Sequence, residues 1–286
     1  WSDHGGNLLR QKRAVGNSGL NVPLIVRYPD KKRAGEVDHR IVSLMDLGAT
    51  TLSILDIDPP EFYDGKAFGG IYEDTPRNYA FGSADRFDEV TDMQRSVIDG
   101  RYVYIKNFMP NLPLIYRNRY REQIKMNAKL IELNRQKKLE GKDAYIFMKT
   151  KPREELYDLE SDPYEINNLA GDSKYLEKMT IFRNALASWQ LEVGDKGFIP
   201  EHDLIEMFWP ERLQPLTSDV VFEKIERGHI KLNCDTEGAS IGYQIGDKIG
   251  STSWNLYHTP IKINKNEKIV ARAIRIGFKA SRITSK

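Results

Sequence analysis

Residues 18–28, SGLNVPLIVRY, decide how the first part of this chain is to be read. After Ser18-Gly19 comes the short apolar run VPLIVR at 22–27, which predicts a buried strand of a parallel sheet. Downstream, Ser43 precedes an amphipathic stretch in which Leu44, Leu47, Thr51, Leu52 and Leu55 share one helical face. Ser43 with Asp46 three residues on fits a capping box, because hydroxyl and carboxylate can each satisfy an orphan amide. A strand followed by a helix is the α/β arrangement. Pro59-Pro60 and the Gly65 to Gly70 region close this segment.

The pattern changes from about Asn78. Residues 79–84, 94–99 and 101–108 read as strands, with Asp99-Gly100 as the hairpin turn between the last two. Residues 116–140 are basic and polar, with Tyr120, Ile124 and Ile131 at helical spacing, and predict an exposed helix. Tyr175, Leu176, Met179, Phe182, Leu186 and Trp189 form a stronger helical stripe that ends near Gly194. Together these predict a small α+β unit. Pro200, Pro210 and Pro215 mark a linker, and beyond it 229–234, 240–245, 260–263, 268–276 and 279–283 are short alternating strands of a small β-sandwich. The expected organisation is therefore 1–76 α/β, 77–200 α+β, 201–216 linker and 217–286 sandwich.

Composition narrows the function classes. In 286 residues, 43 Lys and Arg face 41 Asp and Glu, and the net charge of +2 gives no electrostatic case for nucleic acid. No apolar run approaches the ~20 residues of a membrane span. The single cysteine, Cys234, excludes an internal disulfide and any multi-cysteine metal site. The chain opens on Trp1 with neither a starting Met nor a signal peptide, so it reads as part of something longer.

Candidate chemistry gathers at the amino end. In WSDHGG, Asp3 and His4 followed by two glycines let a carboxylate and an imidazole approach one ion from a tight turn, although taken alone Asp-His-Gly is common in turns and reads first as a capped loop. Lys12, between Arg10 and Arg13, reads on spacing alone as a solvated basic face. Asp85, Arg86, Asp88 and Glu89 follow a strand and read as either a hairpin-edge salt network or a ligand contact.

Four ordered blocks carry a resemblance. Ser-Asp-His-Gly, a basic residue and then Ser-Gly-x-x-Val-Pro-Leu-Ile-Val-Arg-Tyr-Pro resemble the second conserved block of the type I sulfatases, of the alkaline-phosphatase-like superfamily. RIVSLMDLGATTLSILDI, QRSVIDGRYVYIKN and EELYDLESDPYEINNLA are similar to that family's capped helix, its hairpin and its E-L-Y-D-L-x-x-D-P-x-E signature. IKLNCDTEGASIGY and IVARAIRIGFKAS resemble the fibronectin-like (chitobiase-C-type) accessory sandwiches of bacterial glycan-degrading enzymes. There are departures: no Cys/Ser-x-Pro-Ser-Arg is present, and Gly16-Asn17 stands where relatives often carry an aromatic and an acidic residue.

The resemblance implies the carboxy-terminal portion of an alkaline-phosphatase-like sulfatase core, an α+β subdomain and an appended sandwich. It implies sulfate-ester hydrolysis on a glycan by formylglycine and calcium, with the nucleophile motif upstream of this chain. Asp3 and His4 would be metal ligands, Lys12 would meet sulfate oxygens, and Arg86 and Asp88 would contact substrate. It implies a periplasmic or extracellular bacterial protein. Two alternatives stand beside it: a phosphoester or phosphonate hydrolase of the same superfamily, and a non-catalytic glycan-binding fragment.

Overall fold

The computed structural model describes residues 1–28, 30–87, 89–264 and 266–286, with only the backbone at Arg227. The chain divides into two compact units, Trp1–Gly197 and Phe198–Lys286.

The first unit begins with about eighty residues of loop interrupted by helices α1 (Asn17–Leu20) and α2 (Asp46–Ile54). The run at 22–27 is not a strand: it has no ladder partner among the described residues and leaves Ile25 89 % exposed. An apolar run becomes a strand only where another strand satisfies its amides and carbonyls. Helix α2 forms, but its buried face is largely polar, with Ala49 as its apolar member. Asp46, Thr50 and Ser53 are buried, whereas Leu44, Leu47 and Leu52 are half-buried and Leu55 is exposed. The reason is hydrogen bonding. The Asp46 carboxylate accepts the Ser43 and Lys66 amides (both 2.8 Å), Thr50 Oγ1 accepts the Phe68 amide (3.0 Å), and Ser53 Oγ accepts that of Tyr72 (2.9 Å). Buried loop amides need such acceptors, and this helix supplies them. Of the expected capping box only the Asp46 half is seen, with no side-chain bond from the residue preceding the helix.

A four-stranded antiparallel sheet follows: β1 (Ala80–Phe87), β2 (Val90–Ile98), β3 (Tyr102–Asn107) and β4 (Glu154–Asp158), in that order. Between β3 and β4 lie α3 (Arg119–Glu122), α4 (Lys125–Arg135) and α5 (Gly141–Tyr145), so the helix expected over 116–140 is broken into pieces. Alternation along the strands sorts side chains to two faces. On one face Val97, Tyr104 and Leu156 pack against Met179, Phe182 and Leu186 of α6 (Leu176–Glu192). On the other face Val103, Ile105 and Tyr157 pack around Val15, which brings the amino-terminal loop down onto the sheet. Each such aliphatic or aromatic side chain contributes roughly 1.5–3 kcal/mol when fully buried.

The second unit opens with α7 (Glu201–Phe208), where proline spacing predicts only a linker. Two sheets follow, one of β5 (Val221–Ile225), β6 (His229–Asn233) and β9 (Ile261–Lys262), the other of β7 (Ser240–Ile245), β8 (Asn255–Leu256), β10 (Ile269–Ile274) and β11 (Thr284–Ser285). Their inner faces meet through Val220, Ile230, Leu232, Ile241, Ile269, Ala271 and Ala273. This is a sandwich with a continuous core.

Candidate functional site

The amino-terminal loop is closed on itself. The Gly5 amide donates to the Gly19 carbonyl (3.2 Å), and the Lys12 amide to the Gly6 carbonyl (3.0 Å). A Cβ at Gly5 would stand 2.5 Å from the Ser18 carbonyl oxygen, so only glycine permits this approach. The closure holds Lys12 against the stretch that begins with Asp3 and His4.

His4 Nδ1–H donates to the Gly5 carbonyl (2.6 Å), so in the neutral ring Nε2 is the nitrogen that carries the lone pair. His4 Nε2 lies 3.4 Å from Asp3 Oδ2, and the Asp3 side chain is 81 % exposed. Two acceptors this close call for a cation or a proton between them. Two donors of one ion at ~2.4 Å, set at about a right angle, also stand ~3.4 Å apart, so the pair fits two positions around calcium. Among the described residues no group of three or more His, Cys, Asp or Glu is arranged to hold an ion. Among the described residues, a metal held here would have this pair as its only His, Cys, Asp or Glu ligands.

Lys12 is half-buried, with its ammonium 5.0 Å from the centre of the Tyr120 ring. Neighbouring Arg13 stacks on Phe87 (4.3 Å) and Tyr120 (5.4 Å), which brings the end of β1 beside the Lys12 loop. Arg86 lies on β1 opposite Thr91 and is half-buried. Asp88 lies outside the described residues. Asp85 occupies a bulge between Ala84 and Arg86, and its carboxylate accepts two hydrogen bonds from Arg95 (2.6 and 3.0 Å). Asp85 is therefore part of a salt network.

Glu165, whose role sequence reasoning missed, anchors the loop from beneath. Its carboxylate accepts the Asn17 amide (2.8 Å), while Arg10 donates to the carbonyl oxygens of Tyr164 (3.2 Å) and Glu165 (2.9 Å). A Cβ on Gly16 would lie 2.7 Å from Glu165 Oε1, so Gly16 leaves room for the carboxylate. Burial raises the Glu165 pKa above the ordinary carboxylate range, against the pull of the Asn17 amide and Arg10. The signal was present in the EELYDLESDPYE block, but nothing local says which distant loop a glutamate will meet.

A cavity of about 100 Å³ lies beside this anchor. It is lined by Arg10, Arg13 and Arg121 together with the carboxylates of Asp92, Glu155 and Glu165, and by apolar Val15, Val90 and Ile105. Of these, Asp92 is paired with Lys151, whose buried ammonium donates to it (2.5 Å). Burial pushes the Lys151 pKa down against the opposing attraction of Asp92, and likewise pushes that of neighbouring Tyr116 up.

Comparison with known proteins gives a consistent relationship. No family model matches the chain. It is 40 % identical over 286 residues to an ulvan-active sulfatase of Formosa agariphila, an alignment covering 99 % of this chain and 48 % of that protein. This chain is homologous to sulfatases. Human N-sulphoglucosamine sulphohydrolase is 27 % identical over 218 residues, which is 71 % of this chain and 43 % of the human protein. A solved 2-O GAG sulfatase superposes with a TM-score of 0.35 at 21 % identity, over 53 % of this chain and 25 % of that one. The chain spans about half the length, or less, of the curated relatives it matches. Its own fold is mixed α/β with several sheets.

Proposed function

We propose that this chain is the carboxy-terminal part of an exported bacterial sulfatase, dependent on formylglycine and calcium, that hydrolyses sulfate esters on a glycan, R–O–SO3⁻ plus water giving R–OH, sulfate and a proton. The observation that carries this reading is one closed loop presenting the adjacent Asp3–His4 donor pair and, on the same loop, the Lys12 ammonium. It is supported by the whole-chain similarity to an ulvan-active sulfatase.

Asp3 and His4 Nε2 would hold calcium, and when bound the ion supplies positive charge that offsets repulsion between an anionic ester and an oxygen nucleophile. Lys12 carries three N–H donors and no acceptor, so it binds sulfate oxygens and favours charge moving onto the departing oxygen. The cavity's mixture of guanidinium groups and carboxylates offers the donors and acceptors that sugar hydroxyls require, and Arg86 of β1 and Asp88 would be further substrate contacts. The working compartment would be periplasm or exterior. Among the described residues, no helix is long and apolar enough to cross a membrane.

The test uses the full-length protein and free sulfate release from ulvan. Turnover should vanish on calcium chelation and return with added calcium. Lys12→Ala should lower kcat on the order of 10²-fold with a much smaller change in KM, as for loss of an oxyanion donor. Phosphate release from a matched phosphate ester exceeding sulfate release would favour the phosphoesterase alternative. Tight ulvan binding without turnover or calcium dependence would favour the non-catalytic one.

A further inference from the structure

Lys12 lies between two arginines whose backbone is left-handed, Arg10 at φ 66° and Arg13 at φ 73°. Residues with a Cβ disfavour that region, so a loop with two of them so close together is held in shape from outside. The holding contacts come from a segment 109 residues further along the chain. Arg121 Nη2 donates to the Lys12 carbonyl oxygen, and Asn127 Nδ2 donates to the carbonyls of Asn7 and Arg121 (both 3.1 Å). Arg121 and Asn127 are buried, and the Asn118 side chain fixes their turn by accepting the Arg121 amide (3.0 Å). These contacts fix the backbone on which Lys12 rides. A further one meets its side chain, the Tyr120 ring beneath the ammonium.

We infer that α3 is the positioning element for Lys12, with Arg121 fixing its backbone and the Tyr120 ring its ammonium. A lysine on a flexible four-carbon stem is a poor partner for a transition state unless its rotamers are restricted. An aromatic face restricts an ammonium by attraction to the ring while consuming none of its N–H donors. A carboxylate in the same place would neutralise the charge, and among the described residues none pairs with Lys12. Tyr120 and Arg121 thus act through Lys12, and the inference rests on the reading of Lys12 as the sulfate contact.

Two measurements on the full-length protein test it. With ¹³C-labelled lysine, the Lys12 ε-methylene signal, assigned by its loss in Lys12→Ala, should be shifted upfield by the ring. Tyr120→Leu should abolish the shift and Tyr120→Phe keep it, whereas an unshifted signal in the parent overturns the inference without recourse to activity. In sulfate release from ulvan, Tyr120→Leu should lower kcat about tenfold with KM little changed, Tyr120→Phe should rescue most of that loss, and Lys12→Ala/Tyr120→Leu should be no slower than Lys12→Ala alone. If Lys12→Ala is fully active, the reading of Lys12 itself fails. If Lys12→Ala is slow but Tyr120→Leu is normal, or the two losses multiply, only the positioning role fails. Arg121→Ala should match Tyr120→Leu in rate, and should it fold poorly the two Tyr120 variants still decide.

Discussion

Arg95 is 1 % exposed yet charged, and it is satisfied on two sides. Its guanidinium donates to Asp85 in the bulge of β1 and to Asp195 beyond α6 (2.9 and 2.7 Å), tying one edge of the sheet to the helix that covers it. The pairing with Arg95 holds the Asp195 carboxyl at about 2, below its ordinary 3.8, helped by Gln190 and the Gly197 amide and opposed by burial. A carboxyl depressed on folding stabilises the protein fully above its unfolded value and ceases to do so as pH falls through its folded value. The expected window of lost stability therefore runs from about pH 4 to pH 2, with a magnitude of about 2 kcal/mol. Acid-unfolding curves of the full-length protein and Asp195→Asn should converge at pH 2 and separate at pH 5; curves that stay parallel would refute this assignment. The Asp85 half of this network agrees with the hairpin-edge salt network that the sequence offered as one reading, whereas the Asp195 half was not legible, because Asp195 and Arg95 are 100 residues apart. Asp3, His4 and Lys12 were singled out only through the family resemblance, since on spacing alone they read as a capped loop and a solvated basic face.

At the scale of elements, patterns that depend on near neighbours translated well. The Asp99-Gly100 turn forms as read: Asp99 Oδ1 accepts the Arg101 and Tyr102 amides (3.1 and 2.7 Å), and Gly100 sits at φ 93°. The stripe from Met179 to Trp189 became α6 for the same reason, since its side chains recur on one face and that face meets the sheet. Patterns needing a distant partner did not translate. The run at 22–27 finds no strand to pair with among the described residues, and the leucine face of α2 gave way to hydroxyls and a carboxylate required by loop 65–72. Gly100 separates local from tertiary cost, because a Cβ there would meet nothing within 4 Å. Gly100→Ala should therefore destabilise the hairpin through backbone strain alone, by about 1 kcal/mol. The measurement is amide exchange at Val97 and Tyr104, which should quicken about fivefold if the hairpin opens as a local unit. Gly100→Asn should lie between, as asparagine tolerates this region better.

At the scale of the molecule the two units differ in how completely each buries its own apolar surface. The unit from Phe198 to Lys286 encloses a core in which Ile269, Ala271 and Ala273 are fully buried, with Ile230, Leu232 and Ile241 facing them. Its chain end is tied in, the Ile269 and Lys286 backbones exchanging two hydrogen bonds (3.1 and 3.0 Å). Nothing in that core depends on residues outside the unit, so it should fold alone, although a domain this small is of modest stability. The unit from Trp1 to Gly197 has a satisfied core around its sheet but leaves Ile25, Val37, Phe62 and Ile71 between 67 and 89 % exposed, all within its first eighty residues. Several apolar side chains exposed beside an unpaired apolar segment favour association. Expressed separately, 198–286 should be monomeric and unfold in one cooperative thermal transition, while 1–197 should aggregate at micromolar concentration. Light scattering and calorimetry of the two pieces would check both, and a monomeric, cooperative 1–197 would show that its exposed apolar residues do not drive association.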